Sequence, residues 1–139
     1  MTKALLLIDI QNDYFSGGKM ELVGAVAAAE NAARVQRRFR GLGLPVIHVQ
    51  HIATSPSATF FLPETYGAEI HDLVAPVGNE VKITKHFPNS FRETKLQQTL
   101  DELGVTELTV VGMMTHMCID TTVRAASEAG FTVTLVGDA

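Results

Sequence analysis

The run Ala4-Leu5-Leu6-Leu7-Ile8, stopped by Asp9, constrains the fold most, because it puts no polar residue on either face of an extended strand. A strand apolar on both faces must be covered on both, which is the condition of an interior strand in a parallel sheet. The pattern recurs. Residues 45–51 (PVIHVQH), 80–85 (EVKITK), 107–112 (ELTVVG) and 131–137 (FTVTLVG) read as further strands. Between them lie helical patterns: residues 19–43, alanine-rich and ended by Gly41 and Gly43; residues 90–104, with Leu96, Leu100 and Leu103 on one side; and residues 117–130. Strand–helix alternation of this kind predicts an α/β fold, a three-layer α/β/α sandwich on a parallel, Rossmann-like sheet. A length of 139 residues suits one domain over 1–139. Residues 52–79, with three prolines and mixed aromatics, form a long connection of the kind that is often functional.

Composition narrows the partners. A net charge of −4 argues against nucleic acid, since phosphate binding needs concentrated positive charge. The basic cluster Arg34, Arg37, Arg38 and Arg40 falls near the end of a predicted helix, where cations complement the macrodipole. No run approaches the ~18 apolar residues of a membrane span. A single cysteine suits a reducing compartment, and with no signal-like N-terminus the expected location is cytoplasmic.

In open parallel sheets ligands bind beyond the carboxyl ends of the strands. Asp9 ends the first strand, Lys85 the third, and Cys118 follows the fourth. Each alone has an ordinary reading: a carboxylate accepting loop N–H groups, a solvated strand-end lysine, a small apolar thiol under a helix. Together at one sheet edge they read as a nucleophile with its proton acceptor and a cation. Cys118 is expected in the first turn of a helix capped by Thr115, where the dipole favours thiolate. The dipole contributes only about 0.3–1 kcal/mol, less than one pKa unit, so a base or cation must help.

The segments LLLIDIQNDYF, KHFPNSF and VVGMMTHMCIDTTVRAASEAGF resemble the isochorismatase-like cysteine hydrolases, a superfamily that includes nicotinamidases and N-carbamoylsarcosine amidase; the resemblance runs from residue 3 to residue 139. It implies a triad of Asp9 as proton acceptor, Lys85 as orienting cation and Cys118 as nucleophile. It also implies an oxyanion hole from the Met114 and Cys118 backbone N–H groups, and a cis peptide joining Met113 to Met114. The implied activity is cysteine-dependent hydrolysis of a C–N bond in a small-molecule amide through a thioester, without a redox or organic cofactor. An isochorismatase-type or ester hydrolase and a non-catalytic binding protein on the same fold are the alternatives. Phe15, His51 and Phe91 are candidate pocket residues, with Phe60, Phe61 and Phe87 as further aromatic walls. His48 and His71 are expected to be structural.

Three departures from the family matter. Nicotinamidases of the superfamily hold a metal through an Asp-x-His motif, but Val49-Gln50-His51 lacks the carboxylate, so no metal is expected. The lysine is followed four places on by Asn89 and then Ser90, where a serine is common in the family, which leaves the substrate open. Family members usually continue beyond residue 139, so the domain reads as C-terminally short, with a sheet edge that a second copy would cover in a homo-oligomer.

Overall fold

The computed structural model describes residues 2–139, apart from the side chains of Thr115 and His116. Five strands, β1 (Thr2–Ile8), β2 (Val46–His51), β3 (Val81–Lys85), β4 (Val105–Gly112) and β5 (Thr132–Leu135), form one sheet. Its order is β3-β2-β1-β4-β5, and every adjacent pair is parallel. The interior strand is the one with no polar face: on β1, Leu5 and Leu7 enter one apolar cluster while Ala4, Leu6 and Ile8 enter the other. Three helices, α1 (Ala25–Gly41), α2 (Leu96–Glu102) and α3 (Asp120–Glu128), cover the two faces. Ala29, Ala32, Ala33 and Phe39 of α1 pack over the Leu5 face; Leu96 and Leu100 of α2 and Ala126 of α3 pack over the Leu6 face. The three-layer α/β architecture expected from the sequence is the one present. No helix among the described residues is long and apolar enough to cross a membrane.

Each helix is shorter than its periodicity suggested. Residues 19–24 are tied instead to the loop after β1, through Met20 N–H to Asp13 O (2.9 Å) and Leu22 N–H to Tyr14 O (2.9 Å), and Gly24 enters α1 at φ 75°. Before α2, Thr94 Oγ1 donates to Ser90 O (2.6 Å) and accepts from Leu96 N–H (3.2 Å), a local alternative to helix that holds back its start. A five-residue π-helical turn, Thr115–Ile119, precedes α3, and Cys118 lies in that turn rather than in the first turn of α3. The proposed capping role of the Thr115 side chain lies outside the described residues.

Arg40 does more than meet a helix dipole. Its Nε and Nη2 donate to the two Glu80 oxygens at 2.7 and 2.8 Å, and His48 Nε2 lies 2.9 Å from Glu80 Oε1, so the end of α1, β2 and the approach to β3 are joined by one polar knot. His48 is buried and held in this knot, a packing position of the kind expected for it. At the carboxyl ends of β1 and β4 the backbones nearly touch: a Cβ on Gly112, at φ 138°, would lie 2.1 Å from Ile8 O. Only glycine permits that approach, and the chain diverges from it toward Asp9 on one side and Cys118 on the other.

Candidate active site

Asp9 follows β1 directly, in the left-handed region at φ 56°. Aspartate tolerates that conformation better than most side chains. Its N–H still donates to Val49 O at 3.0 Å, so the sheet fixes the backbone at the point where it turns away. Lys85 is the last residue of β3, two strands distant. Cys118 comes from the turn after β4, on the other side of β1.

The Lys85 ammonium brings them together. Nζ lies 3.0 Å from Asp9 Oδ2 and donates to Cys118 Sγ (3.2 Å), to Phe87 O (3.1 Å) and to His51 Nδ1 (2.9 Å). The Asp9 and Lys85 side chains are both 0% exposed, so neither charge could persist there without the other. Neither Asp9 oxygen has an aligned hydrogen bond among the described residues; the contact with Lys85 is a close ion pair. His51 sits at the end of β2 and is half-buried. Burial, then the adjacent ammonium, lowers its pKa to about 4, so it is neutral and presents the Nδ1 lone pair to Lys85.

Protonation departs from the expectation of a thiolate. Burial, reinforced by the Asp9 carboxylate, pushes the Cys118 thiol up to about 12 despite Lys85. Burial also raises Asp9 above the usual carboxylate range, against the pull of the Lys85 ammonium. Cys118 is therefore a thiol beside a carboxylate of raised basicity, an arrangement able to pass a proton from sulfur to carboxylate when the sulfur reacts.

The peptide joining Met113 to Met114 is cis. Among the described residues the Met114 N–H has no hydrogen-bond partner, while Met114 O accepts from Met117 N–H (3.1 Å) and Ile119 N–H (3.2 Å). A cavity of about 350 Å³ opens beside the Asp9–Lys85–Cys118 cluster, with His51 shared between the two and Thr54, Phe60, Phe61, His86 and Phe87 among its walls.

Two of the three candidate pocket residues lie elsewhere. Phe15 is buried in the core over α1, stacked on His71 at 3.9 Å between centroids, and Phe91 packs on the α2–α3 face near Phe131, 6.2 Å between centroids. An aromatic near a motif in sequence still turns to whichever core its backbone faces. His51 does reach the cavity.

The polar residues after β1 were missed as functional. Gln11, fully buried, donates from Nε2 to His51 O (2.8 Å) and Ala68 O (2.7 Å) and accepts from His51 N–H (2.8 Å). It fixes the backbone of His51. Asp13 accepts from Phe61 N–H (2.7 Å) and from Lys19 N–H (3.1 Å), pinning the cavity wall to the strand end. The signal was present in Gln11-Asn12-Asp13 directly after a buried strand, where unpaired polar groups would be costly.

A nicotinamidase-type metal set does not fit. Val49, two places before His51, is buried and apolar; His51 Nδ1 is engaged by Lys85; and His71 Nδ1 accepts from Leu73 N–H at 3.1 Å.

Comparison with known proteins agrees with the geometry. Residues 3–139 match the isochorismatase domain family. The uncharacterized isochorismatase family protein YddQ of Bacillus subtilis is 55% identical over 139 residues, spanning all of this chain and 77% of that one. A crystal structure from Oleispira antarctica, of a protein assigned as an isochorismatase hydrolase, superposes with a TM-score of 0.94 at 50% identity, covering 99% of this chain and 74% of that one. Streptothricin hydrolase of Streptomyces noursei is 38% identical over 144 residues, covering 99% of this chain and 49% of that one.

Proposed function

The chain belongs to the isochorismatase family, and from that premise we propose that it is a cysteine-dependent hydrolase cleaving the C–N bond of a small-molecule amide. The observation that carries the reading is the single ammonium of Lys85 in contact with both Asp9 and Cys118. Its role is to keep Asp9 ionised in a buried site, so that a base is available when the thiol reacts.

Cys118 Sγ attacks the amide carbon as its proton passes to Asp9. A C–S bond forms and the carbonyl oxygen takes negative charge, which the N–H groups of Met114 and Cys118 are assigned to stabilise. Collapse breaks the C–N bond; Asp9 returns the proton, and ammonia or an amine leaves. Water then attacks the thioester carbon as Asp9 accepts its proton; collapse breaks the C–S bond, Asp9 returns the proton to sulfur, and the carboxylic acid departs from the restored thiol. The acyl group is assigned to the cavity walled by Phe60, Phe61 and Phe87, which favours a compact, largely apolar group. The similarity to streptothricin hydrolase supports hydrolytic chemistry without naming a substrate.

The test is incubation with a panel of small primary amides, with ammonia release followed and intact mass recorded after acid quench. An acyl adduct on Cys118 with ammonia release is expected, and both should be absent in Cys118→Ala. Turnover that survives Cys118→Ala would replace this reading with cysteine-independent hydrolysis of the isochorismatase type. Ligand-induced melting shifts with neither adduct nor ammonia would indicate a binding protein. We extend the proposal to a homo-oligomer, because β5 is an exposed edge strand; a monomer by sedimentation at assay concentrations would remove that part.

A further inference from the structure

The groups around Lys85 Nζ are also a set of metal ligands. The donor atoms of Asp9, His51 and Cys118 all lie within 4.8 Å of one another, and they supply a carboxylate oxygen, an imidazole nitrogen and a sulfur. With Phe87 O they surround the ammonium at 2.9–3.2 Å. A zinc ion bound by the same kinds of atom needs about 2.0–2.3 Å, so the cage is larger than a metal's coordination sphere by under an ångström on each side. The fully buried Asp9 carboxylate, without an aligned hydrogen bond among the described residues, points to the same conclusion: its compensation comes from a cation at the centre.

We propose that Asp9, His51 and Cys118 form a latent site for a thiophilic divalent cation such as zinc, and that Lys85 excludes the metal by placing its own ammonium at the centre. The donor types favour zinc or cobalt over magnesium or calcium, which prefer oxygen alone. This site shares His51 with the incomplete Asp-x-His position but takes its other two donors from Asp9 and Cys118 rather than from a carboxylate at position 49. The role it gives Lys85 is additional to holding Asp9 ionised. Binding of a cation would take up the sulfur as thiolate, release its proton to solvent, and leave no free nucleophile.

The experiment compares the intact chain with Lys85→Ala and Lys85→Ser, each also carrying Cys118→Ser or His51→Ala. Cobalt(II) is titrated and followed by its thiolate charge-transfer absorption and its d–d bands, and zinc is measured by equilibrium dialysis. Lys85→Ala is expected to bind about one cation per chain at least ~100-fold more tightly than wild type. Its charge-transfer band should vanish with Cys118→Ser and weaken with His51→Ala. Lys85→Ser provides the same reading if the alanine variant fails to fold. A measurement on wild type is independent of both: zinc should leave the rate of Cys118 alkylation unchanged. Zinc protection of Cys118 in wild type would overturn the proposal. So would folded Lys85 variants that take up no cation, or a cobalt spectrum indifferent to Cys118→Ser.

Discussion

Replacing Asp9 by Asn should disable turnover and yet make the thiol more acidic. The two results come from one geometry. The Asp9 and Cys118 donor atoms lie no more than 4.8 Å apart, so a thiolate forming beside a carboxylate meets a repulsion of about 3.5 kcal/mol at an effective dielectric of ~20. At about 1.4 kcal/mol per unit this is ~2.5 pKa units, and the neighbouring ammonium makes ~2–3 units a fair range. Asparagine has the same shape without the charge, and it leaves Lys85 with no counterion except the sulfur. The Cys118 pKa, held up at about 12 by burial and by Asp9, should therefore fall. Nucleophilicity declines with basicity, and only about half of the logarithmic gain reaches the rate. Iodoacetamide should alkylate Cys118 roughly 10–30-fold faster in Asp9→Asn than in wild type near pH 8. Access to the buried sulfur is the same in both, so it cancels in the ratio. Amide turnover should drop by about 10²–10⁴-fold, because the proton acceptor is gone. Alkylation at an unchanged or lower rate in a cooperatively folded Asp9→Asn would refute the electrostatic account of the site.

Glu80 ties stability to pH. Burial pushes its carboxyl up, but hydrogen bonds donated by Arg40, His48 and the Val77 N–H outweigh burial and bring the pKa down to about 2. Folded below an unfolded value of ~4.3, it adds at most about 3 kcal/mol above pH 5, and this is lost as pH falls toward 2. The urea midpoint of wild type should exceed that of Glu80→Gln at pH 7, with the gap closing below pH 3; a constant gap would show that Glu80 is not held down. Gly112→Ala should lower stability by more than about 2 kcal/mol, because its Cβ would meet Ile8 O at 2.1 Å. Thermal melting measures the loss, and a neutral substitution would mean that β1 and β4 can separate there.

The layers were legible because a strand apolar on both faces has few places to go, and β1 has that composition from Ala4 to Ile8. The juxtaposition of Asp9, Lys85 and Cys118 was legible because each follows or closes such a strand, and a parallel sheet brings those ends to one edge. Three things were hidden for physical reasons. Gln11 and Asp13 act on residues some 40–57 positions away, and nothing local announces a partner that distant. Phe15 and Phe91 share the motifs' neighbourhood, but the direction of their backbones sends them into opposite cores. The state of the thiol depends on how deeply it is buried beside a carboxylate, and helix-dipole reasoning from sequence contains neither quantity.

Lys85 already spends its three hydrogens on His51, Phe87 and Cys118, while the Asp9 carboxylate waits at 3.0 Å as an ion-paired fourth acceptor. One acceptor is always in surplus. When Cys118 turns its sulfur toward a carbonyl, or Asp9 carries a proton and pulls less strongly, the His51 ring or the Phe87 carbonyl can take the hydrogen that is released. The ammonium therefore works as a commutator, changing contacts without passing through an unsolvated state. In the proposed reaction the charge distribution of the site can move while the side chain that organises it stays still.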